Sequence, residues 1–233
     1  MKVIVTGASK GIGRGIAEFL ASDGHPVALM ARSASVLQEV RDGIEMQGGS
    51  AWPIPCDVRD PEAVADAVQR AVASMDGVDV LVNNAGLVIR KDVFTLTPAE
   101  WRIMVDTNIS GMFYMTQSVL PYFRRQGVGH IINVSSISGR LPLPGGSAYA
   151  ATKHAVTGFS QSLFQEVRDY GIRVTTVYPG SIDSASHRHD PREDHSWKVQ
   201  PAEVGGAIRD LLAMEPGTVI SELEIRPLRR PPR

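Results

Sequence analysis

Lys2-Val3-Ile4-Val5-Thr6-Gly7-Ala8-Ser9-Lys10-Gly11-Ile12-Gly13 carries three structural signals in succession. The apolar run at its start suits a strand buried on both faces of a parallel sheet. Three glycines then permit a tight turn, and Ile16, Ala17, Phe19 and Leu20 follow at helical spacing. Strand, glycine-rich turn and helix in that order form the context of a dinucleotide-binding fingerprint. Glycine lets a pyrophosphate approach the backbone, and the free N–H groups of a helix start favour the anion. The spacing here is Gly-x-x-x-Gly-x-Gly rather than Gly-x-Gly-x-x-Gly. A strand-to-helix turn without a ligand would use the same residues.

Outward from that stretch, strand-like and helix-like segments alternate along the chain, which points to a parallel sheet with helices on both faces. Strands are expected at 2–6, 26–31, 50–55, 78–82, 129–135, 172–178 and 218–225, and helices near 11–23, 33–47, 61–75, 98–126, 147–170 and 201–214. Thr97-Pro98-Ala99-Glu100 reads as a capped helix start, with a hydroxyl cap, a first-turn proline and a glutamate three residues after the cap. Pro61-Glu62 and Pro201-Ala202-Glu203 open helices in the same way. The expected fold class is α/β, a doubly wound seven-stranded parallel sheet of Rossmann type, in one domain over residues 1–233. The segment 183–200 lacks periodicity and reads as a lid-like loop. The basic, proline-rich stretch 226–233 reads as a tail.

Composition bounds the partners. With 233 residues, 43% apolar and 21% charged, the chain is an ordinary globular protein. A net charge of −1 gives no field that would recruit nucleic acid or an anionic membrane. Its single cysteine, Cys56, excludes an internal disulfide and suits a reducing compartment. It reads as a buried, inert thiol. No apolar run approaches a membrane span. The first strand starts at Lys2, which leaves no room for a signal peptide, so the expected location is the cytoplasm.

Tyr149 and Lys153 lie four residues apart, with Ser136 thirteen residues before the tyrosine. Residues four apart share a helix face, so the lysine can stand beside the phenol. A neighbouring cation favours the phenolate and brings its pKa toward the working range. Further positions fall in order: Asp57, then Asn83-Asn84-Ala85-Gly86, Asn108, Ser136, Tyr149, Lys153 and Pro179-Gly180. On these residues the chain resembles a short-chain dehydrogenase/reductase of the single-domain type, over nearly its whole length.

The resemblance implies catalytic roles for Asn108, Ser136, Tyr149 and Lys153. Tyr149 would exchange a proton with a carbonyl oxygen, and Ser136 would hydrogen-bond that oxygen. Lys153 would lower the Tyr149 pKa and bind ribose hydroxyls, and Asn108 would hold a water linking Lys153 to solvent. Ser135 adjoins Ser136, but the interval to Tyr149 and the position of Gly139 favour Ser136. Contacts to the cofactor would come from Thr6, Gly7, Ser9, Lys10, Gly11, Ile12, Gly13, Asp57, Val58, Asn83, Ala85, Gly86, Tyr149, Lys153, Pro179, Gly180, Ile182 and Ser184. The implied cofactor is NADP(H). An NAD site places an acid at the end of the second strand, whereas this chain has Ala31 followed by Arg32, with Lys10 nearby. Arginine suits a 2′-phosphate because its planar fork offers paired donors.

The reading that follows is an NADP(H)-dependent oxidoreductase interconverting a small or polar carbonyl compound and its alcohol. One rival is a 3-oxoacyl-(acyl carrier protein) reductase, for whose acidic partner Arg124 and Arg125 are docking candidates. The other is a catalytically silent nucleotide-binding sensor or scaffold. His187, His189 and His195, with Asp190, Glu193 and Asp194, invite a metal reading, but the charged segment fits a solvated lid better and no metal is expected. His154 reads as a packing or interface residue. The helices at 98–126 and 147–170 are apolar on more than one side, through Met104, Met112, Phe113, Met115 and Val119, and through Val156, Phe159, Leu163 and Phe164. By the resemblance the expected assembly is a homodimer or homotetramer.

Overall fold

A computed structural model describes residues 1–184 and 194–229. Seven strands, β1 (Val3–Thr6), β2 (Val27–Ala31), β3 (Ala51–Pro55), β4 (Val80–Asn83), β5 (Gly129–Val134), β6 (Ile172–Pro179) and β7 (Glu222–Ile225), form one sheet. Its order is β3-β2-β1-β4-β5-β6-β7, and every pairing is parallel. Pro53 and Pro55 are tolerated because β3 lies at an edge and pairs only with β2.

Helices α1 (Gly11–Ser22), α2 (Ala34–Met46) and α7 (Pro201–Leu212) cover one face of the sheet. Their side chains Ile16, Leu20, Leu37, Val40, Val204 and Ile208 pack against Val3, Val5, Leu29 and Val82. On the other face lie α3 (Pro61–Met75), α5 (Gly111–Gln126) and α6 (Ser147–Val167), where Val64, Val68, Met115, Phe123 and Leu163 meet Ile4, Leu81, Ile131 and Val174. This is the doubly wound, Rossmann-like architecture that the alternation implied. Strands buried on both sides must be apolar along their whole length, which is why they read as runs rather than alternations.

The helix expected over 98–126 is two helices. After α4 (Pro98–Val105) the chain widens into a π-turn at Asp106–Ser110 before α5 resumes. The interruption coincides with bonds from Asn108 to distant parts of the chain. Asn108 accepts from the Leu87 amide (2.7 Å) and donates to the Leu87 carbonyl (2.9 Å) and the Thr152 hydroxyl (3.0 Å). A π-turn is a common device for aiming one side chain in this way. Gly111 follows because its backbone abuts Val58, where a Cβ would stand 2.7 Å from a valine methyl. The expected 147–170 helix is α-helical to Val167 and closes in a 3₁₀ turn, Arg168–Tyr170, ended by Gly171 at φ +72°. Ladder pairing of β7 begins at Glu222 rather than 218.

Thr97 and Glu100 form the capping box read from sequence: the Glu100 amide donates to Thr97 Oγ1 (3.2 Å), and the Thr97 amide donates to Glu100 Oε2 (2.9 Å). Asp60 caps α3 by accepting from the amides of Glu62 and Ala63.

Candidate active site

Strand order reverses between β1 and β4, and a crevice opens beyond the carboxyl ends of the strands there, as open α/β sheets dictate. A cavity of about 620 Å³ occupies it. Its floor is the glycine-rich turn. Gly7 and Gly11 take φ of +67° and +55°, which L side chains rarely adopt. A Cβ on Gly13 would lie 2.3 Å from the Gly7 carbonyl oxygen. The turn is held from behind. The Thr6 hydroxyl accepts from the amides of Asn84 and Ala85 (2.9 Å each), and Asn84 Nδ2 donates to the Thr6 carbonyl (2.9 Å). Thr6 therefore serves the cavity by fixing its walls. Asn84, which carried no role in the sequence reading, is its partner. No described side chain caps α1, so its first-turn amides face the cavity beside exposed Lys10.

Ser9, Lys10, Gly11 and Ile12 line the cavity, with Arg32, Asp57 and Val58 at one end. Arg59 lines the same end, and the sequence reading did not assign it. Its Nε donates to both Asp57 oxygens (2.9 and 3.1 Å), and this contact, with the nearby charge of Arg32, holds the Asp57 carboxyl below the usual range. Arg59 also anchors its amide on Asp57 (3.1 Å). A basic residue two positions after the strand-end acid was the available signal. Cys56 lines the cavity as well, and burial pushes its thiol up to about 11.

Ala85, Gly86, Tyr149 and Lys153 line the other end. Ser136 Oγ accepts the Ser138 amide (3.1 Å), and its hydroxyl favours the ionised form of the Tyr149 phenol. Ser135 lines the cavity and its hydroxyl donates to the Lys153 carbonyl (2.9 Å), a bond that leaves Ser136 as the serine without a backbone acceptor on α6. Gly139 permits that crossing, because a Cβ there would lie 2.7 Å from the Lys153 carbonyl oxygen. Lys153 is buried, with Nζ donating to the Val134 carbonyl (2.9 Å) and standing 5.9 Å from the Tyr149 ring centre. Burial lowers its pKa to about 8. Burial also raises the Tyr149 phenol, and Ser136 and the charge of Arg90 draw it back down.

Other sites from the sequence reading stand apart from the cavity. Asn83 ends β4 and is buried, donating to Thr116 (3.1 Å) and Asn133 (2.9 Å). The Asn108 amide is committed to Leu87 and Thr152, as above. Pro179 ends β6, the Gly180 amide bonds the Ile225 carbonyl (2.9 Å), and Ile182 pairs with Val199 in an isolated bridge. Ser184 returns to the cavity beside Gly11. Of the metal reading, His187, His189, Asp190 and Glu193 lie outside the described residues, as do residues 230–233 of the tail. His195 is in contact with Lys198 and lies 3.9 Å from Asp183. Arg124 and Arg125 lie over the rings of Tyr170 and Tyr122, at 4.6 and 4.8 Å. His154 is exposed, with Nδ1 2.9 Å from the Ala150 carbonyl.

The short-chain dehydrogenase family model matches residues 1–195, and the chain belongs to that family of oxidoreductases. It is 32% identical over 226 residues to an uncharacterised oxidoreductase of Staphylococcus aureus, covering 97% of this chain and 96% of that one. Among solved structures it resembles an alcohol dehydrogenase from the archaeon Thermococcus sibiricus complexed with 5-hydroxy-NADP (TM-score 0.91, 30% identity, covering 100% and 99% of the two chains). It also resembles the closed form of a serine dehydrogenase complexed with NADP+ (TM-score 0.88, 31% identity, covering 98% and 95%).

Proposed function

We propose that the protein is an NADP(H)-dependent oxidoreductase that interconverts a small carbonyl compound and its alcohol, with Tyr149 as acid and base. The observation that carries this reading is that Tyr149 and buried Lys153 line one end of the same cavity whose other end holds Lys10, Arg32 and Arg59. The residues fit a dinucleotide. Gly7 and Gly11 form a cradle that side chains would close, the α1 amides suit a pyrophosphate, and Arg32 and Lys10 suit a 2′-phosphate where an acid would repel it. NADP-bound relatives of similar shape support the same choice.

The nicotinamide supplies or accepts the hydride when bound. In the reductive direction Tyr149 gives its proton to the carbonyl oxygen as charge builds there, and Ser136 stabilises that charge by donating a hydrogen bond. Lys153, whose pKa of about 8 leaves it mostly charged at neutral pH, is the donor for ribose hydroxyls. Asn108 keeps the place given to it in the proton relay, holding a water between Lys153 and solvent, while its side-chain amide bonds Leu87 and Thr152. Leu87, Val88 and Ile103 offer the substrate an apolar wall.

The test is to titrate NADPH and NADH separately, then to screen small ketones, aldehydes and 3-oxoacyl thioesters with the preferred cofactor. Tighter NADPH binding with turnover of small carbonyls is the expected result. Preference for acyl thioesters would replace the substrate assignment with the acyl-carrier reductase. Cofactor binding with no turnover of any carbonyl would favour a silent sensor.

A further inference from the structure

Strands β2 and β3 run side by side with Ala31 opposite Pro55, and the Cys56 amide donates to the Ala31 carbonyl (2.9 Å). The segments that leave these two strands therefore start as neighbours, about 5 Å apart. One carries Arg32 and the other Asp57 and Arg59, and all three residues line the cavity. The Arg59 amide (3.1 Å) and Nε (2.9 Å) donate to Asp57 Oδ1, while Nε (3.1 Å) and Nη2 donate to Oδ2. An ionised carboxylate offers about four lone-pair sites. Arg59 alone fills those of Asp57, which leaves no acceptor there for an adenine amino group. Arg59 is not used up in return. Its side chain is 35% exposed, and its Nη1 has no partner among the described residues. Asp57 is also the sole acid among the described residues that line the cavity, against Lys10, Arg32, Arg59 and Lys153. Positive charge is left over at this end after the pair has formed.

We propose that Arg59 is a specificity-determining residue of the cofactor site, a second arginine that donates from Nη1 to the 2′-phosphate beside Arg32. Asp57 then acts as a positioning residue that aims Arg59, rather than as a ligand of the adenine. The inference rests on the NADP(H) part of the proposed function and is independent of the chemistry assigned to Tyr149. A phosphate carries several acceptor oxygens, and planar guanidinium groups from two adjoining segments can meet it from two sides. An arginine already held on a carboxylate has little rotamer freedom left to lose when the phosphate arrives. The remaining nitrogen is thereby pre-set for an anion.

Two ligands that differ only in the 2′-phosphate isolate this contact. Adenosine 2′,5′-bisphosphate and adenosine 5′-monophosphate are titrated by calorimetry into the wild type, Arg59→Gln and Arg59→Met. The bisphosphate should bind each variant about tenfold more weakly than it binds the wild type, and the monophosphate should stay within about twofold. Unchanged affinity for the bisphosphate would overturn the proposal. So would equal weakening of both ligands, which would place Arg59 on the adenine or in the fold instead. Either variant suffices if the other does not fold. A wild type that bound the two ligands alike would refute the NADP(H) reading itself, whereas a wild-type preference that survived in both variants would refute the role of Arg59 alone. Neither ligand carries a nicotinamide and no turnover is read, so failure of the Tyr149 mechanism would leave the result intact.

Discussion

Ser135 and Ser136 show how finely the site is built, since adjacent hydroxyls at a strand end serve different tasks. One fixes the Lys153 main chain, and the other accepts the Ser138 amide and favours the ionised Tyr149 phenol. The interval to Tyr149 and the position of Gly139 favour Ser136 as the serine of the site, and the proposed mechanism keeps that choice. Partnership is harder to read than position. Asn84 acts on Thr6, a residue the sequence did highlight, but through a contact 78 positions away that no spacing encodes. Asn83 reads as a cavity residue and is turned into the core, because the alternation of a strand sends neighbours to opposite faces. Arg32 tests the cofactor assignment at this scale. Arg32→Asp should lower the NADPH-over-NADH preference in kcat/KM by at least about tenfold, the loss of roughly 1.4 kcal/mol of phosphate binding. An unchanged ratio would refute it.

Among the elements, strands and helix starts were legible because burial on two faces and proline-led caps leave local signatures. The break between α4 and α5 was not, since it depends on Asn108 finding Leu87 and Thr152 in distant parts of the chain. Strand β5 holds a further consequence. His130 is buried against Thr175, with its ring nitrogen 2.8 Å from the hydroxyl. Burial, reinforced by the charge of Arg173, lowers its pKa to about 3. The unfolded chain binds a proton at this histidine below about pH 6.5, while the folded chain does not until about pH 3. Its contribution to stability is therefore complete above pH 6.5 and declines as pH falls toward 3, by about 1.4 kcal/mol per unit. Urea unfolding at pH 7 and pH 5 should show wild type losing about 2 kcal/mol more than His130→Gln. Equal losses would contradict the buried neutral histidine.

At the scale of the molecule, much of the apolar surface on α4 to α6 that suggested an assembly is spent inside the subunit. Met104, Met112, Met115, Val119, Val156 and Leu163 are all buried within the subunit. What remains outward is smaller: Phe113 at 42% exposure, edge-on to half-buried Phe159, and Trp101 at 46%. Self-association through this face is the expectation, and sedimentation at micromolar concentration showing a stable monomer would exclude it. The central claim is that a phenol at the inner end of the cavity moves the proton. Turnover of Tyr149→Phe, measured with the preferred cofactor and carbonyl beside the wild type, addresses it most directly. The account predicts a fall in kcat of about 10² to 10⁴ with the fold and cofactor binding intact, whereas a variant that kept most of the wild-type rate would contradict it.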